Sequence, residues 1–169
     1  FVWNSNISKT LAKLIKEKFP DTIIVFGGPN IPSSEKSQLE YLNECPYVDF
    51  IFTGEGEYSF TRLLTNLYQS NFKLEIAKSL ENPNAVTLVN GKLIRNKEAP
   101  RIDISKTPSP YLLGMMDKFF GQNLMPLIQT TRGCPFTCTF CVEGVSYFNK
   151  IKRRKRLDIE TELEYIGQR

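Results

Sequence analysis

Apolar residues first recur at a helical period, with Ile7, Leu11, Leu14 and Ile15 at i, i+4, i+7 and i+8. The spacing predicts a helix that buries one stripe beneath a lysine-rich outer face, capped by Asn4 or Asn6 and ended at Phe19-Pro20. Thr22 to Phe26 is a short, continuously apolar, β-branched run, as expected of a strand in a parallel sheet covered on both faces. Gly27-Gly28-Pro29 turns the chain off that strand, and a weaker helix is expected from about Glu35 to Leu42 with Leu39 and Leu42 inward. Val48 to Thr53 reads as a second strand, and Gly54-Glu55-Gly56-Glu57 leads into a helix with Phe60, Leu63, Leu64 and Leu67 on one face. Alternating helix and strand is the grammar of a doubly wound α/β domain, whose ligands lie where the strands end. Glycines at such turns serve tight turning whether or not a ligand is bound.

From about Leu74 the texture changes. Ala85 to Val89, Asn90-Gly91 and Lys92 to Arg95 form a hairpin pattern with a type I′ turn signal. Pro100, Pro108 and Pro110 punctuate the stretch after the hairpin, so residues 76–122 read as a linker between two domains. Pro126 to Thr131 is then expected as a strand that delivers the next loop at its carboxyl end, and Leu157 to Ile166 as a helix with Leu157, Ile159, Leu163 and Ile166 apolar.

That loop holds the candidate chemistry. Cys134, Cys138 and Cys141 fall at a Cys-x3-Cys-x2-Cys spacing within Cys134-Pro135-Phe136-Thr137-Cys138-Thr139-Phe140-Cys141. A structural zinc takes four protein ligands in a closed tetrahedron. The chain has no histidine, and its fourth cysteine, Cys45, lies far away in sequence, so zinc would need Cys45, a carboxylate or a second chain. A 4Fe-4S cluster held by three cysteines leaves one iron open for a substrate or cofactor. An odd trio does not pair off internally as disulfides. Cys45, just before Pro46, reads as a small buried thiol.

Composition narrows the class further. With 169 residues, 41% of them hydrophobic, the chain can bury one ordinary core or two small ones. No apolar run is long enough to span a bilayer, and lysines interrupt the apolar residues near the start, unlike a signal peptide. Iron-sulfur chemistry is consistent with a reducing cytoplasm. The formal net charge of +4 comes from one run, Lys150 to Arg156, which carries six cations; without it the chain would be acidic. Such a run can grip nucleic-acid phosphates, form a solvated loop, or attract an anionic substrate or cofactor tail. No aromatic ladder is interleaved with it, which argues against nucleic acid.

The cysteine spacing, with Arg132-Gly133 before it and Phe140 just before the last cysteine, resembles the radical S-adenosylmethionine (radical SAM) family. Taken with Phe26-Gly27-Gly28-Pro29 and the run from Val48 to Glu57, the chain looks like the cobalamin-binding-domain subgroup of that family. The resemblance implies a cluster held by Cys134, Cys138 and Cys141, with S-adenosylmethionine chelating the open iron and Phe140 near its adenine. It also implies one-electron cleavage to a 5'-deoxyadenosyl radical. Residues 1–75 would be the rear part of a Rossmann-like cobalamin domain, with Gly27, Gly28, Pro29, Gly54, Glu55 and Gly56 facing the corrinoid. Residues 76–122 would be the linker with its hairpin. Residues 123–169 would open a radical SAM partial TIM barrel.

The implied reaction is cobalamin-dependent methyl transfer to an unactivated carbon of a small-molecule substrate, with a reductant such as flavodoxin or ferredoxin. Rearrangement, cyclisation or ring contraction on the same two domains is the alternative within this family, and a zinc-bearing nucleic-acid module the alternative outside it. Methylthiotransferases carry extra leading cysteines where this chain has only Cys45. Many cobalamin domains carry an Asp-x-His-x-x-Gly loop whose histidine ligates cobalt, and this chain has no histidine. An αβ barrel needs on the order of 200 residues, and the chain opens on Phe1-Val2-Trp3 without an initiator methionine. It is therefore expected to be a piece of a longer polypeptide, inactive alone, with no catalytic side chain assigned.

Overall fold

The computed structural model of the chain describes residues 4–141, 144 and 147–169. The polypeptide divides into two compact units, Phe1–Ile102 and Asp103–Arg169. Residues 1–3, where the sequence reads as the end of a strand, lie outside the described residues.

In the first unit the elements run α1 (Ser5–Lys18), β1 (Val25–Phe26), α2 (Glu35–Glu44), β2 (Phe50–Phe52), α3 (Glu57–Gln69), α4 (Leu74–Ser79), β3 (Ala85–Val89) and β4 (Lys92–Arg95). The four strands form one sheet in the order β1-β2-β3-β4. β1 and β2 are parallel, with Val25 opposite Phe50 and Phe26 opposite Ile51. β3 pairs antiparallel with β2, and β4 antiparallel with β3. The sheet is therefore mixed, and the α/β class holds while an all-parallel sheet does not. Asn90 and Gly91, at φ of 50° and 74°, make the tight turn that their sequence predicts.

β2 shows why its sequence is apolar without interruption. Ile51 faces a core with Ala12, Ile24, Leu42, Cys45, Val48 and Val86, whereas Phe50 and Phe52 face another with Leu63, Leu67, Ala77 and Ala85. Successive side chains point to opposite faces of a strand, and here both faces are covered. Cys45 is a buried free thiol in the first of these cores.

Two helical stripes depart from expectation. In α1 only Ala12 is buried, while Ile7, Leu11 and Leu14 are each more than half exposed. The helix is held instead by polar contacts: Lys16 Nζ donates to the Thr22 carbonyl (2.7 Å) and to Asp49 (2.9 Å), and the buried Asp49 also accepts from the Ile24 amide (2.8 Å). No element among the described residues covers the rest of the stripe. In α3, Leu63 and Leu67 are buried but Phe60 and Leu64 are exposed, and the buried stripe at i, i+4, i+7 and i+8 is completed by the polar Ser59 and Asn66.

The second unit has little regular structure. Short 3-10 turns occupy Ile104–Lys106 and Asp117–Phe119, followed by β5 (Thr131–Arg132), β6 (Lys152–Arg153) and α5 (Arg156–Gly167). Asp103 caps the first turn, and hydrogen bonds from Ser105 hold its carboxyl below the usual range. The strand expected over 126–131 is reduced to β5, which pairs antiparallel with β6. Met125 and Leu127 lie 93% and 87% exposed. A strand needs a neighbour to complete its hydrogen bonds, and along the approach to β5 the Tyr111 hydroxyl bonds both the amide (2.9 Å) and the carbonyl (3.2 Å) of Leu127, while the Arg154 amide donates to the Thr130 carbonyl (3.0 Å).

Candidate functional site

Each unit carries one candidate locus. In the first unit, parallel β1 and β2 end at the same edge of the sheet, so Gly27-Gly28-Pro29 and Gly54-Glu55-Gly56 leave it side by side. Gly28 and Gly54 adopt φ of +98° and +74°, which a residue with a Cβ adopts only at a cost. A Cβ at Gly28 or Gly56 would meet nothing within 4 Å, so the backbone here is open to an approaching ligand. Gly56 stands at the N-cap of α3 and supplies no capping side chain. All these residues are exposed except Glu55, which is buried. Its carboxylate turns away from the edge onto Arg101 Nε (3.1 Å) and the Ile102 amide (2.8 Å).

In the second unit, β5 leads directly into the cysteine loop. The Cys134 amide donates to the Phe148 carbonyl (3.0 Å), the Cys141 amide to the Cys138 carbonyl (3.1 Å), and the Gly144 amide to the Cys141 carbonyl (3.0 Å). These bonds turn the chain at 138–141 and bring Phe148 back onto Cys134. All three thiols are free, Cys134 half-buried and Cys138 and Cys141 exposed, and Phe140 is 92% exposed beside them. Arg132 is turned onto the Gln129 side chain (2.7 Å from Nη2).

Among the described residues no three cysteine, histidine, aspartate or glutamate side chains are gathered closely enough to hold a metal ion. The loop thus puts the three thiols in one segment without drawing them into one coordination sphere. Metal sites of thiolates are commonly completed by the metal itself, which offsets the cost of bringing anionic sulfurs together. The donor set suits a three-thiolate cluster: three free thiols and no histidine.

Gly144 packs hard against this loop. A Cβ there would lie 2.2 Å from the Cys138 carbonyl oxygen and 3.1 Å from the Cys138 backbone nitrogen. Gly144→Ala must therefore displace the segment that carries Cys138. We expect the iron retained after anaerobic reconstitution to fall by at least about half, measured by iron analysis, with urea unfolding of the first unit unchanged.

The basic run is partly committed to structure. Arg154 Nη1 binds Glu162 Oε2 (2.5 Å), and Arg156 Nε binds Glu160 Oε1 (2.6 Å). Glu162 also accepts the Ser109 hydroxyl and is 2% exposed, a buried charge on α5 that the apolar pattern did not predict. The signal was present: Ile159, Glu162 and Ile166 follow at i, i+3 and i+7 on one face. Leu157 and Leu163, two of the apolar positions of this helix, are exposed. No helix among the described residues is long and apolar enough to cross a membrane.

No family model matches the chain. Two curated methyltransferases match it over nearly its whole length. The cobalamin-dependent radical SAM methyltransferase TokK of Streptomyces tokunonensis is 31% identical over 174 residues, covering 99% of this chain and 24% of TokK. The 2-(S-pantetheinyl)-carbapenam-3-carboxylate methyltransferase of Streptantibioticus cattleyicolor is 30% identical over 182 residues, again 99% of this chain and 24% of the relative. The chain therefore spans about a quarter of the length of the curated relatives it matches. In fold it is similar to the cobalamin-dependent S-adenosylmethionine radical enzyme OxsB, with aqua-cobalamin and S-adenosylmethionine bound, at a TM-score of 0.67 and 22% identity over 98% of this chain and 22% of OxsB.

Proposed function

We infer that the chain is part of a cobalamin-dependent radical SAM methyltransferase that acts on an unactivated carbon of a small molecule. In this reading residues 1–75 are the rear part of a Rossmann-like cobalamin domain, 76–122 the linker with its hairpin, and 123–169 the opening of the radical SAM barrel. The observation that carries it is the cysteine loop: three free thiols on one folded-back segment, in a chain 31% identical over 99% of its length to a cobalamin-dependent radical SAM methyltransferase.

The chain's own residues have distinct tasks. Cys134, Cys138 and Cys141, as thiolates, would hold three irons of a 4Fe-4S cluster and leave the fourth to S-adenosylmethionine. Phe140, exposed beside Cys141, offers an apolar face to the adenine. Gly27, Gly28, Pro29, Gly54 and Gly56 give a corrinoid close access to the backbone at the edge of the sheet, free of side chains at the glycines. When bound, the cluster supplies one electron to cleave the sulfonium, and cobalamin supplies the methyl group. A low-potential donor such as flavodoxin or ferredoxin would reduce the cluster.

The test is made on the whole protein that the reading frame encodes, reconstituted anaerobically with iron and sulfide. With dithionite and S-adenosylmethionine it should release 5'-deoxyadenosine, and it should shift the visible spectrum of added hydroxocobalamin. Reductive cleavage without any corrinoid binding would retain the radical SAM assignment and remove methyl transfer from cobalamin. Neither activity would remove both.

A further inference from the structure

Glu55 lies between two exposed glycines at the proposed corrinoid edge, yet its own side chain is only 5% exposed. Oε1 binds Arg101 Nε at 3.1 Å, and Arg101 is itself 10% exposed, while Oε2 accepts the Ile102 amide at 2.8 Å. Asn84, held at φ of +63°, joins the same assembly. Its Nδ2 donates to the Glu55 carbonyl (3.3 Å) and the Ser59 hydroxyl (2.9 Å), and its Oδ1 accepts the Ala99 amide (2.7 Å). The segment 99–102, some 46 residues on in sequence, is thus fastened to the loop leaving β2 by a buried ion pair and two backbone amides.

We propose that Glu55 is a positioning residue that never touches the corrinoid: paired with Arg101, it locks the Gly54–Gly56 loop in its ligand-ready path and ties it to segment 99–102, where the first unit ends. The inference rests on the corrinoid reading above. A loop already fixed in its bound form loses less freedom on binding, and a buried charge pair is costly to half-remove because the partner is left desolvated. Corrinoid binding and order in segment 99–102 are then linked, each favouring the other.

A double-mutant cycle on the whole protein decides it, using hydroxocobalamin as the probe. Glu55→Gln and Arg101→Met should each weaken binding about tenfold, and the double variant should be no weaker than either alone, because one shared element is lost in all three. Amide hydrogen exchange should accelerate at Ile102 in both single variants while staying slow at Ile51 in β2, which reports that the sheet remains folded. A loss of binding in Glu55→Gln with Arg101→Met left at wild-type affinity would make Glu55 a direct ligand contact and overturn the proposal. Unchanged exchange at Ile102 would overturn it too. If the wild-type protein binds no corrinoid, the corrinoid reading fails, and the lock itself is decided by exchange at Ile102 alone.

Discussion

Replacing any one of Cys134, Cys138 or Cys141 with alanine should lower the iron retained after anaerobic reconstitution from about four to fewer than about one per chain. The reason is the scarcity of donors. The chain has no histidine, its remaining cysteine is buried in the core of the first unit, and among the described residues no three histidine, cysteine, aspartate or glutamate side chains are gathered to hold a metal. No other cysteine and no histidine lies in the loop to replace a lost thiolate, and a cluster held by two sulfurs has two open irons. Cys45→Ala is the contrasting case. It removes a buried sulfur packed among Ala12, Leu42 and Ile51 and should cost about 1 kcal/mol of stability while leaving iron unchanged. Iron and sulfide analysis of the four variants, beside urea unfolding, separates the two outcomes. Iron loss in Cys45→Ala comparable to the other three would place Cys45 in the metal shell and favour zinc in a closed tetrahedron.

The second large effect is on stability and falls at Glu162. Its carboxylate is 3% exposed and held by Arg154, itself 13% exposed, and by the Ser109 hydroxyl. Glu162→Ala leaves the Arg154 guanidinium desolvated and unpaired by this partner, a loss of about 3 kcal/mol or more. In a unit whose described residues form two 2-residue strands and one sizeable helix, that is expected to unfold most of it. The double variant Glu162→Leu with Arg154→Met should recover most of the stability, since an apolar pair of similar volume avoids the desolvation cost. Thermal unfolding followed by circular dichroism measures both. A change below about 0.5 kcal/mol in Glu162→Ala would mean that the ion pair does not hold α5 in place.

How much of the fold is legible in the sequence depends on whether a pattern is local. The run Phe50-Ile51-Phe52 announces a strand covered on both faces, and the hairpin is readable from Asn90-Gly91, because each rests on neighbours in sequence. The antiparallel pairing of β3 with β2 is not readable: alternation tells which face is buried, not which strand lies alongside. The stripe of α1 is amphipathic, as its spacing predicts, but it is not buried, since burial depends on a covering layer that the pattern of one helix cannot specify. The strand expected over 126–131 fails for the same reason, with few hydrogen-bond partners for its backbone.

At the candidate sites the cysteine spacing names the three thiols as one set, and the structure carries them on one folded-back loop. It does not reveal that Gly144 packs on the Cys138 backbone, a contact that no spacing rule encodes. Place in sequence groups Glu55 with its glycine neighbours as ligand-facing. Only the long-range pairing with Arg101, across a separation of 46 residues, shows its carboxylate turned inward.

The radical SAM assignment stands or falls with the metal that the loop takes when offered a choice. Anaerobic reconstitution of the whole protein with iron and sulfide in the presence of equimolar zinc, followed by metal analysis, tests this directly. About four irons with matching acid-labile sulfide and only trace zinc per chain is the predicted result. One tightly held zinc without iron would contradict it, and would leave an α/β unit beside a zinc-bearing loop with no radical chemistry.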